Sequence, residues 1–189
     1  MKTPFKKGFT IKTGYLFAAS ILLFALGGSG AYAMAEDNPP SKMKLEGVEW
    51  MLASSGVRTY AFIDVYQCAL YLKEPGKVRK TILEQKQPVT IRIKILTSEL
   101  PGQVPDAWKE TIKPEVSDKV YRRFKKNFKK LEEGDELLFS YTPGQATLLY
   151  LNREKVFSDP GAGLMYSLLD QWVGEEPISD DLKTALVHE

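Results

Sequence analysis

The chain has 189 residues, of which 43% are hydrophobic and 26% charged, with a formal net charge of +2 and one cysteine. This length suits a single domain of about 100–200 residues, and the apolar fraction excludes a disordered chain. The glycines and prolines follow no period, and no self-similarity appears at about 20–50 residues, which excludes collagen-like, solenoid and propeller architectures.

The first 35 residues have the order of a secretory signal. Four lysines and no acidic residue open the chain, an apolar run covers residues 15–26, and small residues follow with two overlapping A-x-A sites. The apolar run is shorter than the about 20 residues that a membrane-spanning helix needs. We therefore expect cleavage near Ala33 or Ala35 and an exported, periplasmic or secreted protein, with an uncleaved membrane anchor as the alternative.

Removal of this leader leaves residues 36–44 as a predicted linker and residues 45–189 as the predicted domain. The leader holds four of the 26 basic side chains and none of the 24 acidic ones, so the remaining chain carries a net charge of −2. A slightly acidic domain lacks the basic footprint of a nucleic-acid-binding protein, so no nucleic-acid partner is expected.

The domain is predicted to open with strands. Residues 45–52 form the first strand, residues 54–56 a Ser-Ser-Gly turn, and residues 57–72 a long run of aromatic and β-branched side chains. Because this run exceeds the usual strand length of about 5–6 residues, a bend or bulge is expected inside it. Cys68 lies in the run, where a buried structural thiol is favoured over a reactive one.

Helices are predicted to interrupt the strands in the middle of the chain. Residues 78–83 form a short helix, and residues 89–96 alternate between apolar and polar side chains, which indicates a strand with one buried face. Pro101 opens a helical region that Pro114 interrupts. The second half of that region is predicted to be an amphipathic helix whose apolar positions are Val116, Val120, Phe124, Phe128 and Leu131.

The last third returns to strands and then to helices. A predicted antiparallel meander covers residues 136–141, 146–151 and 155–157. Asp159 is predicted to cap a helix that Gly174 ends, and Ser179 opens a final short helix. Strands, helices, strands and helices in this order favour an α+β fold, with helices on one side of a mainly antiparallel sheet.

Familiar catalytic motifs are absent from the sequence. The single histidine, His188, is one residue from the end, which argues against Ser-His-Asp or Cys-His catalysis. One histidine and one cysteine also argue against a zinc site with several such ligands, so no metal is expected. Neither glycine-rich phosphate-binding motif occurs, so no cofactor is expected.

A basic run is the sharpest charge feature. At helical spacing it forms the polar face of the helix predicted over residues 116–131. Two interpretations remain open: a solvated helix face, or docking to an anionic membrane surface. The run consists of Arg122, Arg123, Lys125, Lys126, Lys129 and Lys130.

Several segments together resemble the chalcone isomerase family, in particular its bacterial, exported, chalcone isomerase-like branch. The core-strand segments are residues 56–60 (GVRTY) and 65–72 (VYQCALYL). Three later segments agree in order, at residues 133–136 (EGDE), 169–174 (LDQWVG) and 177–186 (PISDDLKTAL). Together they span nearly the whole predicted domain.

The resemblance implies an open-faced sandwich, a large antiparallel sheet with helices on one face and a ligand cleft between them. In the plant enzymes this cleft closes a flavanone ring, and in fatty-acid-binding relatives it holds a lipid. The family arginine that stabilises a phenolate or enolate corresponds to Arg58. The tyrosine that shares a fatty-acid carboxylate with that arginine corresponds to Tyr66, and the polar residue of the late helix to Gln171.

Strand parity places Arg58, Tyr60, Phe62, Asp64 and Tyr66 on one face of the long run. Eight residues of straight strand span about 26 Å, so contact of one carboxylate with both Arg58 and Tyr66 requires the expected bend. Asp64 leaves two interpretations open: a salt-bridged, structural Arg58 or a ligand-contacting Arg58.

These observations predict a non-catalytic binder of a small amphipathic, fatty-acid-like ligand, with Arg58, Tyr60, Phe62, Tyr66 and Gln171 as ligand-binding residues. The enzyme alternative is an intramolecular lyase closing a chalcone-like substrate, with Arg58 as its catalytic residue. A third alternative is a membrane-surface or protein interaction module that uses the basic helix over residues 116–131.

Overall fold

The computed structural model describes residues 38–74, 76, 78, 82–85, 87–100 and 104–187. The predicted leader, residues 1–35, lies outside the described residues. None of the described helices has the length and hydropathy of a membrane span.

In the part of the chain that the structure describes, seven strands form one antiparallel sheet in which each strand pairs with the next. The strands are β1 (Lys42–Leu45), β2 (Val48–Tyr60), β3 (Ile63–Leu72), β4 (Val89–Ile95), β5 (Glu136–Tyr141), β6 (Thr147–Leu151) and β7 (Glu154–Asp159). The helices are α1 (Ile82–Gln85), α2 (Asp106–Glu115), α3 (Asp118–Phe128), α4 (Gly163–Val173) and α5 (Asp180–Leu186). The predicted α+β class is confirmed.

The main core lies between one face of the sheet and the helices. The alternation predicted for β4 is present, because Ile91, Ile93 and Ile95 are buried on this face. Cys68 is completely buried in the same layer, and burial raises the pKa of its thiol above the ordinary range. The helices complete the core mainly with Phe124, Leu164, Leu168, Leu169, Trp172 and Leu182.

A smaller core lies on the other face of the sheet. Trp50 on β2 packs there with Tyr71 on β3, and Met43 and Leu45 of β1 pack against them. The Tyr71 hydroxyl donates a hydrogen bond to the Pro40 carbonyl oxygen, 2.9 Å away. The sheet therefore begins at Lys42, inside the segment predicted as a linker, because β1 buries apolar side chains against β2 and β3.

The run predicted as one strand over residues 57–72 is a hairpin. β2 ends at Tyr60, Ala61 and Phe62 form the turn with φ angles of 47° and 69°, and β3 begins at Ile63. The prediction of a single bent strand is wrong because neither Ala nor Phe is a typical residue for a turn with positive φ. The chain reverses completely here instead of bending.

The turn predicted at residues 54–56 is also wrong, since these residues lie inside β2, with Gly56 opposite Cys68. The glycine serves a close approach between elements. A Cβ atom at Gly56 would lie 2.7 Å from the Cβ of Ala185 and 2.9 Å from Cδ1 of Leu182, both on α5. This strand position therefore requires glycine for packing and not for a turn.

The predicted helix ends at Pro114, Gly174 and Ser179 agree with the structure, whereas three other predictions do not. The described α1 (Ile82–Gln85) is shifted from the helix predicted over residues 78–83, α3 (Asp118–Phe128) is shorter than the predicted 116–131, and the third is the Asp159 cap. α2 ends one residue after Pro114, Gly174 is the C-cap of α4, and the Ser179 side chain accepts the Leu182 amide hydrogen at the start of α5. Asp159 does not cap α4, because β7 extends to it through its pairing with Thr147. α4 instead begins after Ala162, without a side-chain cap.

Candidate ligand-binding site

The β2–β3 hairpin brings Arg58 and Tyr66 directly opposite each other. Residues paired in this way have Cα atoms about 4.5–5.5 Å apart and side chains on the same face of the sheet. Val65 is an extra residue in β3 beside this pair, because Thr59 already pairs with Asp64. Arg58 and Tyr66 are therefore neighbours, whereas along one straight strand they would lie about 26 Å apart.

The pair borders a cavity of about 420 Å³ at the hairpin end of the sheet, between the sheet and the helices. Most of its lining is aliphatic or aromatic. The polar groups are the side chains of Arg58, Tyr60, Tyr66, Thr97 and Glu99. The remaining lining residues are Ile63, Val65, Ile93, Ile95, Leu100, Pro105, Ala107, Trp108, Phe128, Leu137 and Ile178.

Tyr66 lines this cavity, and its hydroxyl group is buried. Only 7% of the residue is exposed, and its hydroxyl oxygen accepts a hydrogen bond from Nε1 of Trp172 at 2.8 Å. Burial raises the pKa of Tyr66 above its ordinary range, although the neighbouring Arg58 charge acts in the opposite direction. Tyr66 is therefore a neutral phenol at physiological pH, and the bond from Trp172 leaves its own hydrogen available for donation.

Trp108 of α2 forms the centre of an aromatic cluster behind Tyr66. Its ring meets the rings of Tyr66 and Trp172 edge to face, with centroid distances of 6.1 and 5.7 Å. Phe128 of α3 makes a similar contact at 5.8 Å. Because these rings come from β3, α2, α3 and α4, the cluster joins four elements and makes this wall of the cavity apolar.

Arg58 carries a charge with no carboxylate partner among the described residues. Its Nη1 donates to the Thr59 carbonyl oxygen, and its guanidinium lies 5.7 Å from the centre of the Tyr60 ring. Asp64 forms no ion pair with it; the Asp64 carboxylate instead accepts a hydrogen bond from the Thr59 hydroxyl at 2.7 Å. Of the two interpretations of Arg58, the salt-bridged one does not hold.

Tyr60 stands at the mouth of the cavity. It is 68% exposed, yet its ring borders the cavity through the contact with Arg58. Glu99 is also exposed at this edge, and its backbone N–H donates to the Thr97 hydroxyl. An amphipathic ligand that enters here would meet polar groups first and apolar walls further in.

Two of the predicted ligand-binding residues lie outside the cavity. Phe62 is fully exposed at the hairpin turn, because the reversal of the chain at this point directs it to solvent. Gln171 joins two helices, since its Nε2 donates to the Thr111 hydroxyl and the Ala107 carbonyl oxygen of α2. These placements correct the expectation for both residues.

Besides the polar lining residues Thr97 and Glu99, the sequence analysis missed two aromatic site residues, Trp108 and Trp172. Each is a buried tryptophan on an amphipathic helix, which is an ordinary core pattern. Trp172 lies next to Gln171, so the late helix was identified but the wrong one of two adjacent side chains was chosen. A helix turns about 100° per residue, which is enough to separate the two environments.

A second cleft, of about 660 Å³, lies on the opposite face of the sheet beneath the β1–β2 hairpin. Its principal charges are already paired: Arg92 Nε lies 2.5 Å from a Glu136 carboxylate oxygen, and Glu46 lies 3.7 Å from Lys155. The described residues contain no cluster of three or more His, Cys, Asp or Glu side chains that would hold a metal ion.

The six basic side chains predicted on the amphipathic helix are all exposed on α3 and the two residues after it, while Phe124 and Phe128 are buried. This arrangement agrees with the predicted amphipathic pattern. Docking of this face to an anionic membrane surface remains a prediction.

Comparison with known proteins adds a family and a structural relative. A family model described as chalcone isomerase-like matches residues 31–188. The crystal structure of a fatty-acid-binding protein from Arabidopsis thaliana has a similar fold, with a TM-score of 0.54 and 17% sequence identity over 78% of this chain and 89% of that one. No curated protein matches the chain.

Proposed function

Because the chain belongs to the chalcone isomerase-like family, we propose that it binds a small amphipathic carboxylate, such as a long-chain fatty acid, without catalysing a reaction on it. The Arabidopsis relative, a fatty-acid-binding protein, makes this ligand class the first to test. The ligand occupies the cavity between sheet and helices, with its carboxylate at Arg58 and Tyr66 and its chain among the apolar lining residues.

The single observation that carries the proposal is that a guanidinium without a carboxylate partner and a phenol whose hydrogen is not donated pair at one end of an apolar cavity. Arg58 has no carboxylate within ion-pair distance in the described part of the chain, and the Tyr66 hydroxyl hydrogen has no acceptor there. A carboxylate accepts from both, and hydrogen bonds to an ionised group are about twice as strong as neutral ones. The guanidinium supplies the positive charge, and the hydrogen bond from the phenol orients the bound carboxylate.

The dimensions of the cavity also favour a small ligand. Its volume of about 420 Å³ lies within the about 300–1,000 Å³ that is usual for small-molecule sites. An apolar lining with a few convergent polar groups matches the general construction of such sites. An alkyl chain gains stability by leaving water for this lining, at about 0.8 kcal/mol for each buried CH₂ group.

Binding without catalysis is favoured by the protonation state of Tyr66. A general base works best when its pKa lies near the operating pH. Burial instead raises the pKa of Tyr66, further away from neutral pH. The other titratable groups of the lining are Arg58, Tyr60 and Glu99, and the latter two stand at the exposed mouth. The phenol and the guanidinium are therefore suited to holding a negative charge.

We also propose that the domain acts outside the cytoplasm, in the periplasm or after secretion, on the basis of the secretory pattern in residues 1–35. Amino-terminal sequencing of protein from the periplasmic fraction should begin at Met34 or Glu36. Recovery of protein with its leader intact from the cytoplasm alone would contradict this part of the proposal.

The ligand proposal is tested by titrating delipidated protein with palmitate and with methyl palmitate. We expect Arg58→Met to weaken palmitate binding about tenfold or more, and Tyr66→Phe about fivefold, because each variant loses a bond to a charged group. Methyl palmitate should bind the wild type and both variants with the same weak affinity. Arg153→Met removes an exposed arginine outside the cavity and serves as the matched control.

Two results would contradict the proposal. Equal affinity of the wild type, Arg58→Met and Tyr66→Phe for palmitate would remove the carboxylate site. Decay of chalcone absorbance above the spontaneous rate, lost in Arg58→Met, would establish the lyase alternative and remove the non-catalytic part.

A further inference from the structure

We propose that the tip of the β2–β3 hairpin, residues 60–63, contacts a lipid bilayer by placing its apolar side chains in the interfacial layer of the membrane. This inference concerns the outer surface of the protein and goes beyond the proposed ligand. It rests on the exposure of the tip, on the chemistry of its turn and on its position beside the cavity.

The hairpin tip concentrates exposed apolar side chains. Phe62 is completely exposed, and Tyr60 and Ile63 are 68% and 38% exposed. Single apolar residues on a surface are ordinary, but a contiguous group of them marks an interaction site. Tyrosine is enriched at membrane–water interfaces, and phenylalanine is among the apolar side chains by which interfacial segments enter a membrane.

The turn itself is costly for the residues that it contains. Among the described residues, three two-residue hairpin turns have positive φ at both positions: Glu46–Gly47 with 49° and 80°, Asn152–Arg153 with 48° and 70°, and Ala61–Phe62 with 47° and 69°. Such turns favour Asn, Asp and Gly, and the first two turns each contain one of these residues. The Ala61–Phe62 turn contains none of the three.

Phe62 is therefore unfavourable in two respects. A bulky residue with positive φ strains the backbone, and an exposed phenyl ring leaves apolar surface in water. Because the ring is fully exposed, packing within the described protein does not compensate for either cost. A strained residue of this kind points to a contact outside the folded chain.

A bilayer fits this tip better than a protein does. A stable protein interface buries about 800 Å² on each partner and involves about 20–30 residues on each side, whereas the tip consists of four residues at a narrow turn. Lipid headgroups and acyl chains adapt to a narrow probe, and a phenyl ring gains stability as soon as it enters them. The Tyr60 ring, apolar with a polar end, suits the same layer.

The position of the tip links it to the cavity. Tyr60 and Ile63 border the cavity mouth as well as the exposed tip. A protein resting on a bilayer through this tip would hold its cavity mouth next to the membrane, where amphipathic molecules reside.

Charge contributes little to this contact. Beside the tip, Asp64 in the hairpin and Glu99 at the cavity mouth balance the positive charge of Arg58, whose guanidinium lies 5.7 Å from the centre of the Tyr60 ring. Lys129 and Lys130 lie at the same end of the sheet, since the loop after them bonds to the end of β4 through Gly134 N–H and the Ile95 carbonyl oxygen. Glu132 and Glu133 in that loop offset the two lysines. Binding through the tip should therefore depend weakly on salt, unlike binding through the basic face of α3.

The test uses delipidated protein and vesicles of phosphatidylcholine with phosphatidylglycerol, without added fatty acid, so its outcome is independent of the proposed ligand. We expect Phe62→Gly to lower vesicle binding about tenfold, because the buried phenyl contact is lost. The same variant should melt at an unchanged or higher temperature, because glycine relieves the positive φ. Arg153→Gly at the equivalent position of the β6–β7 turn should keep full vesicle binding.

A tryptophan probe gives a second readout. The fluorescence of Phe62→Trp should shift to shorter wavelength when vesicles are added, and the shift should persist at high salt. Arg153→Trp should show no such shift.

Three results would overturn the proposal. Equal vesicle binding by the wild type and Phe62→Gly would exclude the tip. Vesicle binding that is abolished at high salt would show that the basic face of α3, and not the tip, contacts the membrane. Self-association in solution that Phe62→Gly abolishes, without vesicle binding, would show that a second copy of the chain covers the tip.

Discussion

The indole nitrogen of Trp172 donates a hydrogen bond to the hydroxyl oxygen of Tyr66 across 2.8 Å, and both side chains are buried. This bond connects α4 to β3, and in it the phenol oxygen is the acceptor. The hydroxyl hydrogen is thereby left for another acceptor. The proposed carboxylate site thus depends on a helix residue that lies 106 positions away in the chain.

Trp172→Phe tests this dependence. Loss of one buried donor should lower the free energy of unfolding by about 1–3 kcal/mol, with a further contribution from the smaller ring. The preference for palmitate over methyl palmitate should fall about fivefold, because the phenol loses its orientation. Trp50→Phe is the control, since it also replaces a buried indole but lies in the smaller core on the other face of the sheet, away from the cavity and Tyr66. An unchanged ligand preference in Trp172→Phe would contradict the positioning role.

Gly56→Ala tests the close approach between β2 and α5. The added methyl group would lie 2.7 Å from the Ala185 Cβ, so one element must shift. We expect a loss of about 1–3 kcal/mol in the free energy of unfolding, measured by urea denaturation. The double variant Gly56→Ala with Ala185→Gly should recover part of this loss, because it removes the shorter of the two contacts; Leu182 Cδ1 stays 2.9 Å away, and glycine lowers the helix propensity of α5. Full stability of the single variant would mean that the approach is looser than described.

The pair of Arg92 and Glu136 tests whether the charges on the second face are structural. Their side chains are 11% and 25% exposed and lie 2.5 Å apart. Removing one partner of a buried pair costs about 3–5 kcal/mol, and partial exposure of Glu136 should reduce this to about 2–3 kcal/mol for Glu136→Gln. Lys42→Met removes one partner of an exposed pair with Glu49 and should change stability by less than about 1 kcal/mol. A similar loss of unfolding free energy in Glu136→Gln and Lys42→Met would mean that the partly buried pair is no more important for stability than the exposed one.

The buried phenols predict how stability depends on alkaline pH. Burial raises the pKa of Tyr71 to about 12 and that of Tyr166 to about 12, and it raises the pKa values of Tyr66 and Cys68 further. The ordinary values are 10.0 for tyrosine and 9.0 for cysteine. The unfolded chain therefore loses these protons first, and the free energy of unfolding should fall as pH rises above about 9.

Urea denaturation from about pH 8 to about pH 11, a range that brackets the ordinary tyrosine pKa of about 10, measures this fall in the free energy of unfolding. Tyr166→Phe should make the slope shallower by one proton. At pH about 8 the same variant should be neutral or slightly stabilising, because the Tyr166 hydroxyl is buried without a hydrogen-bond partner. Stability that stays constant over this range would mean that the phenols are accessible to solvent.

Local patterns predicted most of the elements correctly. Alternation at Ile91, Ile93 and Ile95 indicated a half-buried strand, and a serine before acidic residues indicated the start of α5. The β2–β3 turn was missed because Ala61 and Phe62 carry no turn signal. The predicted turn at Gly56 failed because a glycine that makes room for a helix is indistinguishable in sequence from a glycine in a turn.

The candidate site was predictable in its components but not in its geometry. The resemblance to a family identified Arg58 and Tyr66, and the structure brings these two residues together on one side of a hairpin. Gln171 was assigned to the cavity, although it joins α4 to α2. Nothing in the order of residues indicated that Trp172 would meet Tyr66.

Hydrophobic periodicity and composition were sufficient for the α+β class, for most strands and helices and for the burial of Cys68, because each depends on neighbours within a few residues. The cavity, the free charge of Arg58 and the exposure of Phe62 depended on where the chain reverses and on which helix packs over which strand. A reversal placed one residue earlier or later moves every following side chain to the other face of the sheet. That choice is made by the packing of the whole domain, so it emerges only in three dimensions.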